Sequence, residues 1–222
     1  MIFDFFKILF FLYLLNTYVI KKYVIERAQY FVLHFFFNTW ICYITYQEAL
    51  FCFLNPLKSF EVEYSDAAML TTTAIASFHI YHVLDKYQIL SFEDWIHHLG
   101  SSFIIPIIGN TNPFGKTISL SNFVMCGLPG GLDYFLLALV KYNWIDKLIE
   151  KRINNWLNLL IRMPIQMLTF YILIINYYHH KIEWNYYIFM ATILHTLNSI
   201  YYCNKVVGNC HVSYYKLKIN KN

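Results

Sequence analysis

The sequence predicts an all-α, polytopic integral membrane protein with six or seven transmembrane helices around a lipid-accessible cavity. Hydrophobic residues make up 58% of the 222 residues, and charged residues make up only 14%. Apolar stretches of about twenty residues, long enough to cross a hydrocarbon core as a helix, recur along the whole chain. Turn signals at Asn55-Pro56 and at 110–115 separate some of these stretches.

Seven segments are candidate spans: 1–20, 28–47, 67–84, 92–110, 118–140, 156–178 and 184–206. The first and the fourth are the weakest, so six spans plus an interfacial helix is the alternative. The first segment has neither a basic leader nor a small-residue cleavage site, and we therefore expect a retained span rather than a signal peptide. We divide the chain into an N-terminal transmembrane segment (1–27), a membrane domain (28–207) and a basic cytosolic tail (208–222).

The distribution of basic residues predicts the orientation of the chain. Twelve of the seventeen Lys and Arg residues fall in four segments, 21–27, 85–91, 141–155 and 205–222. The alternating connections carry only Lys58, Lys116 and Lys181. Because cytoplasmic loops are enriched in Lys and Arg, we expect the C-terminus to be cytosolic. The net charge of +4 thus reflects membrane topology, and nothing in the sequence suggests a nucleic-acid partner.

The best candidate for chemistry is the stretch Glu93-Asp94-Trp95-Ile96-His97-His98. Ionisable groups inside a membrane cost on the order of 3 kcal/mol each and usually face the protein interior or a watery cavity. The carboxylate of Asp94 lies within reach of either imidazole, so it can fix a tautomer. Adjacent helical residues point about 100° apart. We therefore expect one histidine to act on a ligand while the other contacts a neighbouring helix.

Other predicted spans also carry polar groups. His79 and His82 lie three residues apart and share a helical face. Asp133 and Arg162 would form a natural ion pair between neighbouring spans. An isolated histidine such as His34 or His195 is more often a hydrogen-bonded core residue than a catalyst. We place His79, His82, Arg162 and His195 in the wall of the predicted cavity.

Two chemistries fit this set of histidines. An imidazole held by a carboxylate can remove a proton from a nucleophile or accept an acyl group itself. Alternatively, His79, His82, His97 and His98 supply four ligands for a metal that oxidises acyl chains, but the repeated histidine-rich boxes of such enzymes are missing. We therefore expect no metal and no resident cofactor.

From about Asp94 to Pro164, the order of landmarks resembles the TLC-domain family, which includes ceramide synthases, the translocation-associated TRAM proteins and several lipid regulators. The similarity begins with the acid and double histidine at 94–98 and continues through Asn110 and Gly115. It includes the run from Gly131 to Tyr142, with Asp133 before an apolar turn and Lys141, and ends with Arg162 and Pro164.

This resemblance implies a multi-pass protein of the endoplasmic reticulum or a related internal membrane. Its partners would be membrane lipids, which it would bind, sense or regulate in sphingolipid or acyl-lipid homeostasis. An acyl-CoA-dependent N-acyltransferase is the alternative, with acyl-CoA as substrate and with His97, His98, Asp94 and Asp133 as catalytic residues. Pro129 and Gly130 occupy the positions of the His-Asp pair of ceramide synthases. A structural membrane protein without a ligand is the second alternative.

Overall fold

The structure is a computed structural model that describes residues 2–86 and 90–219. Helix accounts for 86% of it, and the described ranges contain no strand, so the predicted all-α class is confirmed. The long helices are α1 (Ile2–Tyr23), α2 (Glu26–Leu54), α3 (Asp66–Lys86), α4 (92–111), α5 (Thr117–Lys141), α6 (Lys147–Tyr178) and α7 (Tyr186–Ile219). A short 3₁₀ turn at Pro56–Lys58 follows α2.

Among the described residues, four helices are long and apolar enough to cross a membrane. They are α1, α5 and α6 over their full lengths and α3 from Asp66 to Asp85. These four correspond to the first, third, fifth and sixth predicted spans. The structure therefore has the character of a multi-pass integral membrane protein, and the total of six or seven crossings stays a prediction.

The N-terminal helix α1 packs against α3. Leu12, Asn16 and Ile20 are buried at intervals of four residues, which places them on one side of α1. The Asn16 amide donates a hydrogen bond to the Tyr81 hydroxyl. The Ser77 hydroxyl donates to the backbone carbonyl of Phe5 at 3.1 Å. The predicted N-terminal segment is thus part of the helical bundle.

The predicted division of the membrane domain from the tail does not coincide with a break in the backbone. Val24 is extended, with φ −110° and ψ 134°, and separates α1 from α2 close to the predicted boundary at 27. Helix α7, in contrast, continues past residue 207 and ends at Ile219. The described part of the basic tail is therefore a continuation of the last helix.

The connections between helices lie at two ends of the bundle. At one end, Lys21 forms an ion pair with Asp85 at 3.1 Å, and Lys205 forms one with Glu93 at 2.9 Å. The guanidinium of Arg152 lies 5.5 Å from the centre of the Tyr214 ring. The first contact joins segment 21–27 to 85–91 and the last joins 141–155 to 205–222, as expected if the segments of each pair share one side of a membrane.

At the opposite end of the bundle, the connections that are poor in Lys and Arg contact one another or the neighbouring helix ends. Tyr64 forms an isolated backbone bridge with Gly115. Asn176 donates to the Pro56 carbonyl at 2.7 Å, and Asn185 donates to Asn112 at 3.1 Å. The helices therefore run alternately up and down between the two ends.

Three helices contain a π-helical turn directly before a proline. Proline lacks an N–H group, and its ring clashes with the carbonyl four residues earlier in an α-helix. A wider turn at that point accommodates the ring and bends or shifts the helix. The turns and their prolines are 100–104 with Pro106, 123–127 with Pro129 and 158–162 with Pro164. Each of these three helices is therefore irregular close to its proline.

Glycines bring α2 and α5 into close contact. A Cβ atom on Gly127 would lie 3.2 Å from Cys42 Cα, and one on Gly130 would lie 2.8 Å from the Asn38 side-chain nitrogen. Small residues allow such close approach of membrane helices. The small glycine at position 130 thus allows Asn38 of α2 to lie directly against α5.

Candidate functional site

The first two histidines of the site come from α3, and the other two come from the start of α4. Ser91 caps α4: its hydroxyl accepts a hydrogen bond from the Asp94 backbone N–H at 3.2 Å. In return, the Asp94 carboxylate accepts from the Ser91 backbone N–H at 3.1 Å and from the Ser91 hydroxyl at 2.6 Å. This reciprocal capping box fixes the first turn, and His97 and His98 follow within one turn of Asp94. Asp94 thus has a structural use in the cap.

Three histidines converge between α3 and α4. The Nδ1 atoms of His79 and His98 lie 2.8 Å apart. The centres of the His79 and His97 rings are 5.1 Å apart, and each of the three residues offers a nitrogen within 4.8 Å of the others. His98 thus contacts the neighbouring helix α3 through His79, as expected for one member of the pair, while a ring nitrogen of His97 lies within 4.8 Å of both other histidines.

A second layer of aromatic rings supports this group. His34 stacks on His82, with ring centres 4.4 Å apart and an angle of 9°, and on Tyr134, with centres 4.1 Å apart. The Nδ1–H group of His34 donates a hydrogen bond to the Tyr30 carbonyl oxygen at 2.8 Å. The ring of His82 lies 5.8 Å from that of His98. His34 is thus a hydrogen-bonded interior residue, as expected for an isolated histidine.

A cavity of about 380 Å³ lies between the helices, within the usual range for a small-molecule site. Its ionisable lining includes His79, Asp94, His97, His98, Asp133, Arg162 and His195. Its apolar lining includes Phe37, Ile75, Phe78, Met125 and Val206. The structure therefore brings all but one of the predicted site residues to one cavity. The exception, His82, packs against two residues of the wall, His34 and Phe78.

Asp133 and Arg162 share the wall of this cavity. Arg162 Nη1 donates to Asn158 Oδ1 at 2.8 Å. The hydrogen bonds and ion pairs of the described residues include no direct contact between the Arg162 and Asp133 side chains, so the predicted ion pair is a longer-range interaction. Arg162 Nε and Asp133 Oδ1 are buried and have no hydrogen-bond partner among those residues. Such buried atoms normally require a partner.

The cavity also contains polar side chains that the sequence analysis did not select. Tyr30, His34 and Asn38 follow one another at intervals of four residues on α2 and share one face. On α7, the predicted residue His195 is followed by Asn198 and Tyr202 at intervals of three and four residues, and the Ser121 hydroxyl lies 2.9 Å from His195 Nδ1. The signal that could have identified Tyr30, Asn38 and Tyr202 is this spacing within predominantly apolar stretches.

One side of the cavity reaches the end of the bundle that carries the basic segments. Asp94 lines the cavity but is exposed, whereas His98 is only 8% exposed. The ion pair between Glu93 and Lys205 joins α4 to α7 beside Tyr202 and Val206.

No family model matches this chain, and no match was found among curated proteins or among solved structures. The resemblance to the TLC-domain family therefore stays a prediction.

Proposed function

We propose that this protein is an integral membrane protein that binds a membrane lipid in the cavity between its helices. The observation that carries the proposal is the composition of the cavity wall. It combines apolar side chains, suited to an acyl chain, with a concentrated set of imidazole, carboxylate and guanidinium groups, suited to a polar head group.

Two features support this assignment over a purely structural role. A structural role predicts that every buried polar group is paired and that the helices leave no cavity. The cavity of about 380 Å³ and the unpartnered atoms Asp133 Oδ1 and Arg162 Nε do not fit that expectation. A head group with both donors and acceptors would satisfy both atoms.

Within this proposal, the natural ligands are sphingolipids or acyl lipids of the endoplasmic reticulum or a related internal membrane. The protein would sense or regulate their level in the manner of the non-catalytic members of the TLC-domain family. The apolar helices support residence in a membrane. The identity of the lipid and of the organelle follow only from the sequence resemblance.

A matched pair of substitutions tests lipid binding. Met125 lines the cavity, whereas Met167 is 42% exposed and is not part of the cavity wall. We expect Met125→Trp to fill part of the cavity and weaken lipid binding about tenfold, the equivalent of roughly 1.4 kcal/mol. Met167→Trp introduces the same ring elsewhere and should leave binding unchanged. The measurement is the amount of lipid that remains bound to purified protein in mild detergent, quantified by native mass spectrometry. Equal lipid occupancy in both variants would contradict the proposal.

Acyl transfer is a second candidate function, favoured by the position of His97 and His98 in the cavity wall beside Asp94. An imidazole there would remove the proton from an amine or hydroxyl lipid, which would attack the carbonyl of a fatty acyl thioester. The new amide or ester would form as the carbon–sulfur bond breaks, and the proton would pass to the departing thiolate. This reaction requires acyl-CoA as substrate.

The lipid profile of cells that express the protein distinguishes lipid binding from acyl transfer. An acyltransferase would produce a new N- or O-acylated lipid with the wild type, and the double variant His97→Ala/His98→Ala would abolish it. A lipid-binding protein would produce no new species in either case. Protein levels must be matched between the two strains, and Met167→Trp serves as a variant that should retain the wild-type profile.

A further inference from the structure

His79, His97 and His98 form a compact group of ring nitrogens at the cavity wall. One ring nitrogen of each residue lies within 4.8 Å of the others, and the Nδ1 atoms of His79 and His98 are 2.8 Å apart. His79 and His97 are half-buried and His98 is buried. Three neutral imidazoles that converge from two helices are a typical set of protein ligands for a first-row transition metal.

The distances suit a tetrahedral metal with small side-chain movements. A Zn–N bond is about 2.0–2.1 Å, so two nitrogens on a tetrahedral zinc ion lie roughly 3.3 Å apart. The spacing of 2.8 Å between His79 and His98 is slightly shorter than this, and the upper limit of 4.8 Å for the group is longer. Small rotations of the rings would bring all three nitrogens to coordination distance.

A simple hydrogen bond explains only part of the arrangement. One neutral imidazole can donate to another, which accounts for the contact between His79 and His98. It does not account for the third ring, because His97 lies edge-on to His79 with centres 5.1 Å apart and also approaches His98 at 5.4 Å. A single metal ion bound by all three nitrogens would account for their mutual proximity.

We propose that His79, His97 and His98 bind a divalent first-row transition metal, with zinc as the best match. All three residues line the cavity, so a tetrahedral ion would keep its fourth position directed into it. That position takes water or an anionic oxygen of the bound ligand. Three imidazoles leave both positive charges of the ion uncompensated, and the Asp94 carboxylate, one turn before His98, lowers the cost of that charge.

Metal binding goes beyond the proposed lipid binding and can be tested without a lipid. The purified protein in detergent is stripped with a chelator and titrated with Zn²⁺ or Co²⁺. We expect one ion per chain by elemental analysis and the intense visible absorption bands of tetrahedral Co²⁺. His79→Ala and His97→Ala should each weaken binding by more than the roughly 10- to 100-fold that is typical for the loss of an outer-shell partner.

Two histidine variants serve as controls. His195 lines the same cavity but contacts Ser121 and lies outside the group of three, and His179 is exposed at the end of α6. His195→Ala and His179→Ala should keep the stoichiometry and affinity of the wild type. Met125→Trp should also bind the metal, so loss of lipid binding and loss of metal binding are separate results.

A thermal-unfolding measurement also decides the question if His79→Ala or His97→Ala does not fold. Zn²⁺ at saturating concentration should raise the thermal unfolding midpoint of the stripped wild type and of His195→Ala, but not that of His79→Gln. Substoichiometric metal in the wild type, octahedral Co²⁺ spectra, or full binding by His79→Gln and His97→Ala would each overturn the proposal.

Discussion

Replacing Gly115 by alanine is expected to destabilise the protein by about 3 kcal/mol, a large effect for the addition of one methyl group. Gly115 has φ +58°, a left-handed conformation that costs L-residues other than glycine roughly 1–2 kcal/mol. The new Cβ would collide with the Ser59 carbonyl oxygen and would lie 3.0 Å from both Phe60 Cα and the Val62 carbonyl oxygen. All three are backbone atoms, so a side-chain rotation cannot relieve the clash.

The collision would also disturb the contact between the two connections at this end of the bundle. Gly115 N–H donates to the Glu63 carbonyl at 3.0 Å, and Lys116 N–H donates to the same Ser59 carbonyl at 2.9 Å. Moving the Ser59 carbonyl away from an alanine at 115 would weaken the second bond. Loss of these backbone hydrogen bonds would displace the starts of α3 and α5. Both helices contribute residues to the cavity wall.

The thermal unfolding midpoint in detergent measures this prediction. For a chain of this length, about 3 kcal/mol corresponds to a decrease of roughly 6–12 °C. Gly208→Ala is the matched control because a Cβ there would meet no atom within 4 Å and because alanine favours helix over glycine by about 1 kcal/mol. Its midpoint should be equal to or above that of the wild type. If Gly115→Ala and Gly208→Ala have the same unfolding midpoint, the turn at Gly115 tolerates a side chain and the prediction is wrong.

Hydrophobicity predicted the positions of the helices well because each apolar stretch must complete its backbone hydrogen bonds internally. Each of the seven predicted spans overlaps one long helix. The ends were less predictable: α7 extends to Ile219 and α6 begins at Lys147, beyond the apolar segments. Polar helical turns outside a membrane carry no hydrophobic signal, so composition alone could not place these boundaries.

The candidate site could be predicted as a set of residues but not as a geometry. Scarcity of ionisable groups was sufficient to select His79, His97, His98, Asp133 and Arg162, all of which line the cavity. The direction of each ring depends on its side-chain rotamer and on the helix that packs opposite, here α3 with His79. A helical wheel contains neither, so the sequence predicted that one histidine of the pair contacts a neighbouring helix but not which residue it contacts.

Glu48 shows a further limit of sequence reasoning, because its partners are distant in the chain. Its carboxylate accepts hydrogen bonds from the Ser65 hydroxyl at 2.5 Å and from the Ser119 hydroxyl at 2.6 Å. Ser65 also accepts from the Ala68 N–H at 3.2 Å and thereby caps the start of α3. One carboxylate thus joins α2, the cap of α3 and the first turn of α5.

Glu48→Ala should therefore destabilise the fold at least as much as Gly115→Ala. Hydrogen bonds to a charged group contribute about 1.5–3 kcal/mol each, so the loss of two corresponds to roughly 3 kcal/mol or more. Ser119 is fully buried and Ser65 is 5% exposed, so neither hydroxyl can turn to bulk solvent for a replacement. We expect a decrease in the unfolding midpoint of about 6 °C or more, measured in the same detergent.

Two further variants separate the loss of these bonds from a general effect of substitution on α2. Glu48→Gln keeps an oxygen that accepts hydrogen bonds and should recover about half of the lost stability, because neutral hydrogen bonds are weaker than charge-assisted ones. Gln47→Ala removes an exposed neighbour whose amide donates to Tyr46 at 3.0 Å, and it should leave the midpoint within about 2 °C of the wild type. If Glu48→Ala behaves like Gln47→Ala, the carboxylate does not hold these three helices together, and the alignment of the cavity walls must come from the glycine contacts between α2 and α5.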